Sequence, residues 1–235
     1  MEENVGKLQV DGTMTVLQGK EIYRFYHAGE EETLALKGVN IEVGQGEWVA
    51  VMGPSGSGKS SLISILAGLD IPDGGHVTLR KQHITRLPET ERSAARANNM
   101  GIMLQSGNLF SHLTVEENML LQIELARKGN KERVGELLSR VGLGLRRNAY
   151  ASELSGGEAA RAGLAVALSA EPDILLADEP TGEVDGETER HIIALFHQLR
   201  NQGTAIVMVT HSEQVARNAD RIVRLEDGRV LHGTD

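Results

Sequence analysis

In a chain of 235 residues there is room for one large domain, or for one domain carrying an inserted lobe. Lys and Arg total 24 against 33 Asp and Glu, a net charge of −9. That balance argues against a nucleic-acid binder or a polybasic membrane-surface protein, because both depend on clustered cations. No cysteine occurs, which excludes disulfides, thiol chemistry and cysteine-based zinc sites.

The opening MEENVGKLQVDG is acidic and lacks the basic-then-apolar pattern of a signal peptide, and residues 1–13 are expected to form a loose tail. No apolar run approaches the roughly 18 residues of a membrane span, so the chain reads as soluble and in a reducing compartment. From Met14 to Val43 the pattern is of short strands, EIYRFY and TLALKGVNIEV, separated by a turn at HAGEEE. EWVAVM (47–52), DILLAD (173–178) and TAIVMVTH (204–211) are apolar on both faces, as central strands of a covered parallel sheet must be. Each precedes a helix-like stretch: KSSLISILAGL; ETERHIIALFHQLRNQG, with Ile192, Phe196 and Leu199 on one face and Gly203 as its stop; and EQVARNA. The alternation predicts an α/β sandwich. Between Gln105 and Leu154 the strands vanish. LTVEENMLLQIELARKG opens with a capping-box pattern at Thr114 and Glu117, and KERVGELLSRVGL repeats apolar residues at helical spacing. This segment predicts a helical lobe inserted in the α/β core.

The first apolar strand runs into GPSGSGKSS, which matches the phosphate-cradling pattern G-x-x-x-x-G-K-[ST]. In Gly53, Pro54, Ser55, Gly56, Ser57, Gly58, Lys59, Ser60 and Ser61, the glycines let successive N–H groups point inward at the phosphates. Lys59 brings a point charge, and the Ser60 hydroxyl can ligate Mg²⁺. The second strand ends at Asp178, whose carboxylate suits the same Mg²⁺, and Glu179 can orient and deprotonate a water. Two adjacent carboxylates at the end of an apolar strand are costly unless the site contains a cation. A phosphotransferase would not need Glu179, so the pair favours hydrolysis. Gln105 and His211 end two further strands, where open α/β sheets bind ligands; each alone reads as a strand-end polar group, and they gain meaning only together. Ser155 and its two glycines form an anion-binding turn at the start of a helix, with no lysine of its own to complete a site.

GPSGSGKSS, Gln105, LSGGE, ILLADEP, Asp185 and His211, in that order, resemble the ATP-binding-cassette (ABC) ATPases, from about Met14 to Gly228. YHAGEEETLALKGVNIEV and ADEPTGEVD further resemble the subgroup of lipoprotein-release, macrolide-export and FtsE-like ATPases. The resemblance implies a P-loop NTPase (RecA-like) core with an N-terminal antiparallel β subdomain and an inserted α-helical lobe at about 106–154. It implies one such domain over 14–235, with ATP and Mg²⁺ as ligands. It further implies a head-to-tail dimer, a homodimer in the simplest case, and a separate transmembrane permease that holds the chain on the cytoplasmic face of the membrane. Ser155, Gly156, Gly157 and Glu158 would then contact the γ-phosphate and ribose bound to the partner. Glu179 would be the general base, His211 the switch, Gln105 the link to the permease, and Asp185 part of the loop crossing the dimer. Tyr26 aligns best with the aromatic that stacks on adenine, with Tyr23 and Phe25 close by; ordinary strand packing accounts for any of the three equally well.

Several positions depart from the family pattern. Ala159 and Ala160 stand where glutamine is usual, Val166 where arginine is, Gly107 where an aromatic is, and Glu183-Val184 replace Asn-Leu. None removes a phosphate ligand or the base. Two other readings stay open: an FtsE-like nucleotide-gated module with slow hydrolysis, and a soluble cassette working on nucleic acid or ribosomes, which the charge of −9 disfavours.

Overall fold

The computed structural model describes residues 14–28, 31–182 and 184–231; the tail expected at 1–13, Glu183 and part of the HAGEEE turn lie outside them. The two strands expected either side of the turn are longer than EIYRFY and TLALKGVNIEV suggest: β1 (Thr15–Ala28) and β2 (Glu31–Gly44) pair antiparallel. Irregular register inside the pair, between Gly19 and Tyr23 among other places, breaks the alternation that would reveal their length. Next come β3 (Trp48–Met52), α1 (Lys59–Leu66), β4 (Gly74–Leu79), β5 (Gln82–His83), α2 (Glu89–Asn99) and β6 (Met100–Met103). Helices α3 (Val115–Ala126), α4 (Val134–Arg140) and α5 (Gly156–Leu168) follow without an intervening strand. The chain closes with β7 (Ile174–Asp178), α6 (Gly186–Asn201), β8 (Ala205–Val209), α7 (Glu213–Ala216), β9 (Arg221–Glu226) and β10 (Arg229–Val230).

Two sheets result. One is antiparallel, in the order β2-β1-β4-β5, and the other runs β10-β9-β3-β8-β7-β6. In the second, β9, β3, β8, β7 and β6 run parallel to one another, β10 pairs antiparallel with β9, and the three apolar runs form its centre. Every residue of β3, β7 and β8 is buried, because both faces are covered. Alternation then divides their side chains between two cores. Val49, Val51, Leu176 and Val207 pack with α1 and the antiparallel sheet. Ala50, Met52, Leu175 and Met208 pack with residues of α3 to α6.

Trp48 anchors the second core at 0% exposure, with the Phe196 and His197 rings of α6 meeting it edge-on at 5.4 and 5.2 Å. The capping box expected at α3 is present, Thr114 Oγ accepting from the Glu117 amide while the Glu117 carboxylate accepts from the Thr114 amide. Helix α6 buries Ile192, Leu195, Phe196 and Leu199, and Gly203 beyond its end has φ of 93°. Helix α2 carries no buried residue, so it leaves no apolar stripe by which to find it in the sequence.

Candidate functional site

The parallel register aligns the carboxyl ends of four strands. Val51 of β3 and Asp178 of β7 both stand opposite Val209 of β8, and Met103 of β6 pairs with Ala177. The segments leaving that edge are Gly53–Ser61, Gln105, Glu179 and His211, which gathers the predicted residues at the end where such sheets bind ligands.

Gly58 caps α1 with φ of 101°, and a Cβ there would lie 2.5 Å from the Ala35 carbonyl, so only glycine fits the turn. The Lys59 ammonium donates to the carbonyls of Gly53 and Pro54, both at 2.8 Å. Inside the same loop Ser57 Oγ is buried without a hydrogen-bond partner. Asp178 is 5% exposed, and burial pushes its carboxyl above the ordinary carboxylate range; a hydrogen bond with Ser60 and the charge of Lys59 oppose the rise, and Glu179 adds to it. A buried acid joined to a hydroxyl, beside an ammonium and a carboxylate, fits a site for a small divalent cation completed by phosphate oxygens and water. No group of three or more His, Cys, Asp or Glu that could hold a metal alone occurs among the described residues.

Glu179 takes φ of 51°, a left-handed conformation rare for such a residue, and its amide donates to the Val209 carbonyl at 3.0 Å. Its carboxylate oxygen Oε1 lies 3.0 Å from His211 Nδ1, while Oε2 is buried without a partner. Glu179, His211, Gln105, Gly156, Ala159 and Ala160 line one cleft of about 470 Å³, so the start of α5 shares a wall with three residues from the carboxyl edge of the sheet.

Ser155 caps α5, its Oγ accepting from the Glu158 amide at 3.2 Å and its own amide donating to Glu158 Oε2 at 2.9 Å. Arg146 clasps that carboxylate at 2.7 and 3.3 Å and, with the Ser155 hydrogen bonds, brings its pKa down to about 2. Glu158 therefore faces its own chain here, bracing the turn. Asp185 caps α6 through the amides of Glu187 and Thr188, and Thr188 Oγ joins it to Arg161 of α5 at 2.6 Å. Tyr26 is 39% exposed near the end of β1. Tyr23 is 37% exposed, and Phe25 is partly buried.

Residues 36–182 match the ABC transporter family. Over 219 residues the chain is 37% identical to an uncharacterized ABC transporter ATP-binding protein of Methanocaldococcus jannaschii, covering 92% of this chain and 98% of that one. The chain belongs to the ABC transporter family.

Among other relatives, the macrolide export ATP-binding/permease protein MacB of Escherichia coli K12 is 38% identical over 219 residues. That match covers 92% of this chain but spans about a third (34%) of MacB. The solved structure of a dimeric bacterial ABC transporter cassette superposes with a TM-score of 0.87 at 36% identity, over 91% of this chain and 96% of that one. A second structure of that cassette, also dimeric, is a post-hydrolysis state bound to ADP and Pi. This ABC chain is an ATPase with a P-loop core, it uses ATP with Mg²⁺, and dimerisation and a transmembrane partner are features of its kind. No helix among its described residues is long and apolar enough to cross a membrane.

Three of the departures of this cassette from the family pattern have a physical setting. Gly107 has φ of 77°, a conformation an aromatic residue would adopt only under strain. Ala159 and Ala160 line the cleft beside Glu179. Val166 packs on the helical core. Arg146, Arg161 and Thr188 are contacts that sequence reasoning missed. None of the three had a readable sign: the Ser-x-x-Glu spacing of Ser155 and Glu158 announces the capped turn but not the arginine that clasps it.

Proposed function

We propose that two copies of this chain close head to tail on two ATP molecules and that hydrolysis drives a separate membrane permease. Residues 14–235 would form one cassette with the lobe of about 106–154 inserted, held on the cytoplasmic face through the permease. The relative from M. jannaschii, an ATP-binding protein matched over 98% of its length, supports a cassette separate from its permease.

In this reading Gly53 to Ser61 cradle the phosphates, and Lys59 exchanges its two carbonyl partners for phosphate oxygens. Ser60 and Asp178, with Gln105, would hold Mg²⁺, which neutralises charge on the phosphoryl group when bound. The observation that carries hydrolysis is the state of Glu179: Oε1 is engaged by His211 at 3.0 Å and Oε2 is buried and unpartnered. His211 Nδ1–H donates to Oε1, which leaves Oε2 to take the proton of a water attacking the γ-phosphorus. The bond from that phosphorus to the bridging oxygen breaks, and ADP leaves with the electron pair. Ser155, Gly156 and Gly157 supply the α5 N-terminus to the γ-phosphate bound by the partner, and Glu158 contributes by bracing that turn beside the ribose. Asp185 holds the loop crossing between subunits, and Tyr26 offers its ring to the base.

Glu179→Gln tests the reading. It keeps shape and removes the base, so turnover should fall about 10²- to 10⁴-fold. ATP binding should persist, and an ATP-dependent dimer should accumulate in light scattering. Undiminished turnover would remove Glu179 from the mechanism.

A further inference from the structure

We propose that Arg24 and Asp70 are positioning residues for the base of the bound nucleotide, acting through the ring of Tyr26. The proposal rests on the reading of Tyr26 as the surface on which the base stacks. The Arg24 guanidinium lies over one face of that ring, its carbon 4.8 Å from the centroid. Two carboxylates hold it there: Asp70 at 2.9 Å from Nε and Asp73 at 3.2 Å from a terminal nitrogen. Asp70 also accepts from the Tyr26 hydroxyl at 3.4 Å, and Asp73 accepts from the Phe25 amide at 2.7 Å. One carboxylate therefore grips both the cation and the ring, and its neighbour grips the strand between them.

The placement of Asp70 and Asp73 gives the arrangement its purpose. Both follow α1 by a few residues, and α1 begins with Lys59 and Ser60 of the phosphate loop. The clamp thus ties the end of β1, which is remote in sequence, to the helix that carries the phosphate ligands. A ring fixed against that helix holds the base at a set reach from the phosphates, and binding orders one side chain fewer. The guanidinium also covers one face of the ring, so a base can stack only on the other. By drawing π density toward the covered face, it makes the open face a better partner for an electron-rich purine.

The test compares Arg24→Met, Asp70→Asn and Tyr26→Ala by steady-state ATP hydrolysis and by inhibition with tripolyphosphate, which has phosphates and no base. Arg24→Met and Asp70→Asn should each raise KM for ATP about three- to tenfold. Their kcat and their inhibition constant for tripolyphosphate should stay at the wild-type values. Tyr26→Ala should raise KM at least as far, and Arg24→Met added to it should raise KM no further. If Tyr26→Ala raises KM and Arg24→Met does not, the clamp is overturned and the stacking role of Tyr26 stands. If Tyr26→Ala leaves KM unchanged, the stacking role falls and the clamp with it. Weaker tripolyphosphate inhibition in Arg24→Met would show a general brace of the sheet and overturn the proposal. Should Arg24→Met fail to fold, Arg24→Lys keeps the charge and loses the two-carboxylate fork, and it should raise KM in the same selective way.

Discussion

At Asp178 the needs of folding and of chemistry conflict. Its carboxyl is raised mainly by burial, so in the nucleotide-free protein the charge opposes folding. The sign follows from linkage: stability is full below the ordinary carboxylate pKa and is lost as pH rises through the raised one. Asp178→Asn should therefore raise the Tm of the nucleotide-free protein by about 2–4 °C in calorimetry, while hydrolysis of MgATP disappears. Glu179 accepts a strained backbone for a related reason, since φ of 51° turns its carboxylate into the cleft with His211. Residue types of this kind are legible in a sequence because phosphate, a cation and a water each demand particular groups. Their resting partners are not legible. Nothing in GPSGSGKSS says that Lys59 folds back on Gly53 and Pro54, because those bonds depend on where the loop finally lies.

Helix α5 shows how far an element can be read. The turn at Ser155 predicted the start of a helix, and in that helix Ala162, Leu164, Ala165 and Leu168 are buried. The brace at its start depends on Arg146, twelve residues away across a fold that no local pattern describes. Because Arg146, with the Ser155 hydrogen bonds, depresses Glu158 to about 2, the stability this acid contributes is present above its ordinary value and is lost only as pH falls toward 2. Arg146→Ala should raise the Glu158 pKa toward its ordinary value, with the Ser155 amide still holding it somewhat low, and move acid unfolding, followed by circular dichroism, to higher pH. The same helix meets β6 closely: a Cβ on Gly101 would stand 2.5 Å from the Ala167 carbonyl. Gly101→Ala should cost about 1–3 kcal/mol in a denaturant titration, because backbone must move. Its glycine was legible as a letter in MGIMLQ, whereas the helix it makes room for comes some 60 positions later.

Across the whole molecule, the parallel sheet was legible because its central strands must be apolar on both faces, and the antiparallel sheet was read only in fragments because bulges interrupt it. Lys59→Ala and Ser155→Arg chains should each be inactive alone, since each homodimer would lose both sites. Mixed in equal amounts, half the dimers would pair the two variants and contain one intact site. An assay of the mixture should then recover about one quarter of wild-type turnover if the sites fire independently. No recovery at any mixing ratio would argue that both phosphate elements act within one chain.

The chain has a single tryptophan, and Trp48 is sealed at the foot of β3 between the Phe196 and His197 rings of α6. Its emission is therefore a built-in optical gauge, silent to solvent until β3 and α6 part. Beside a dichroism signal summed over all the helices, that one indole tells whether the central strand and the helical core let go in the same step or in two.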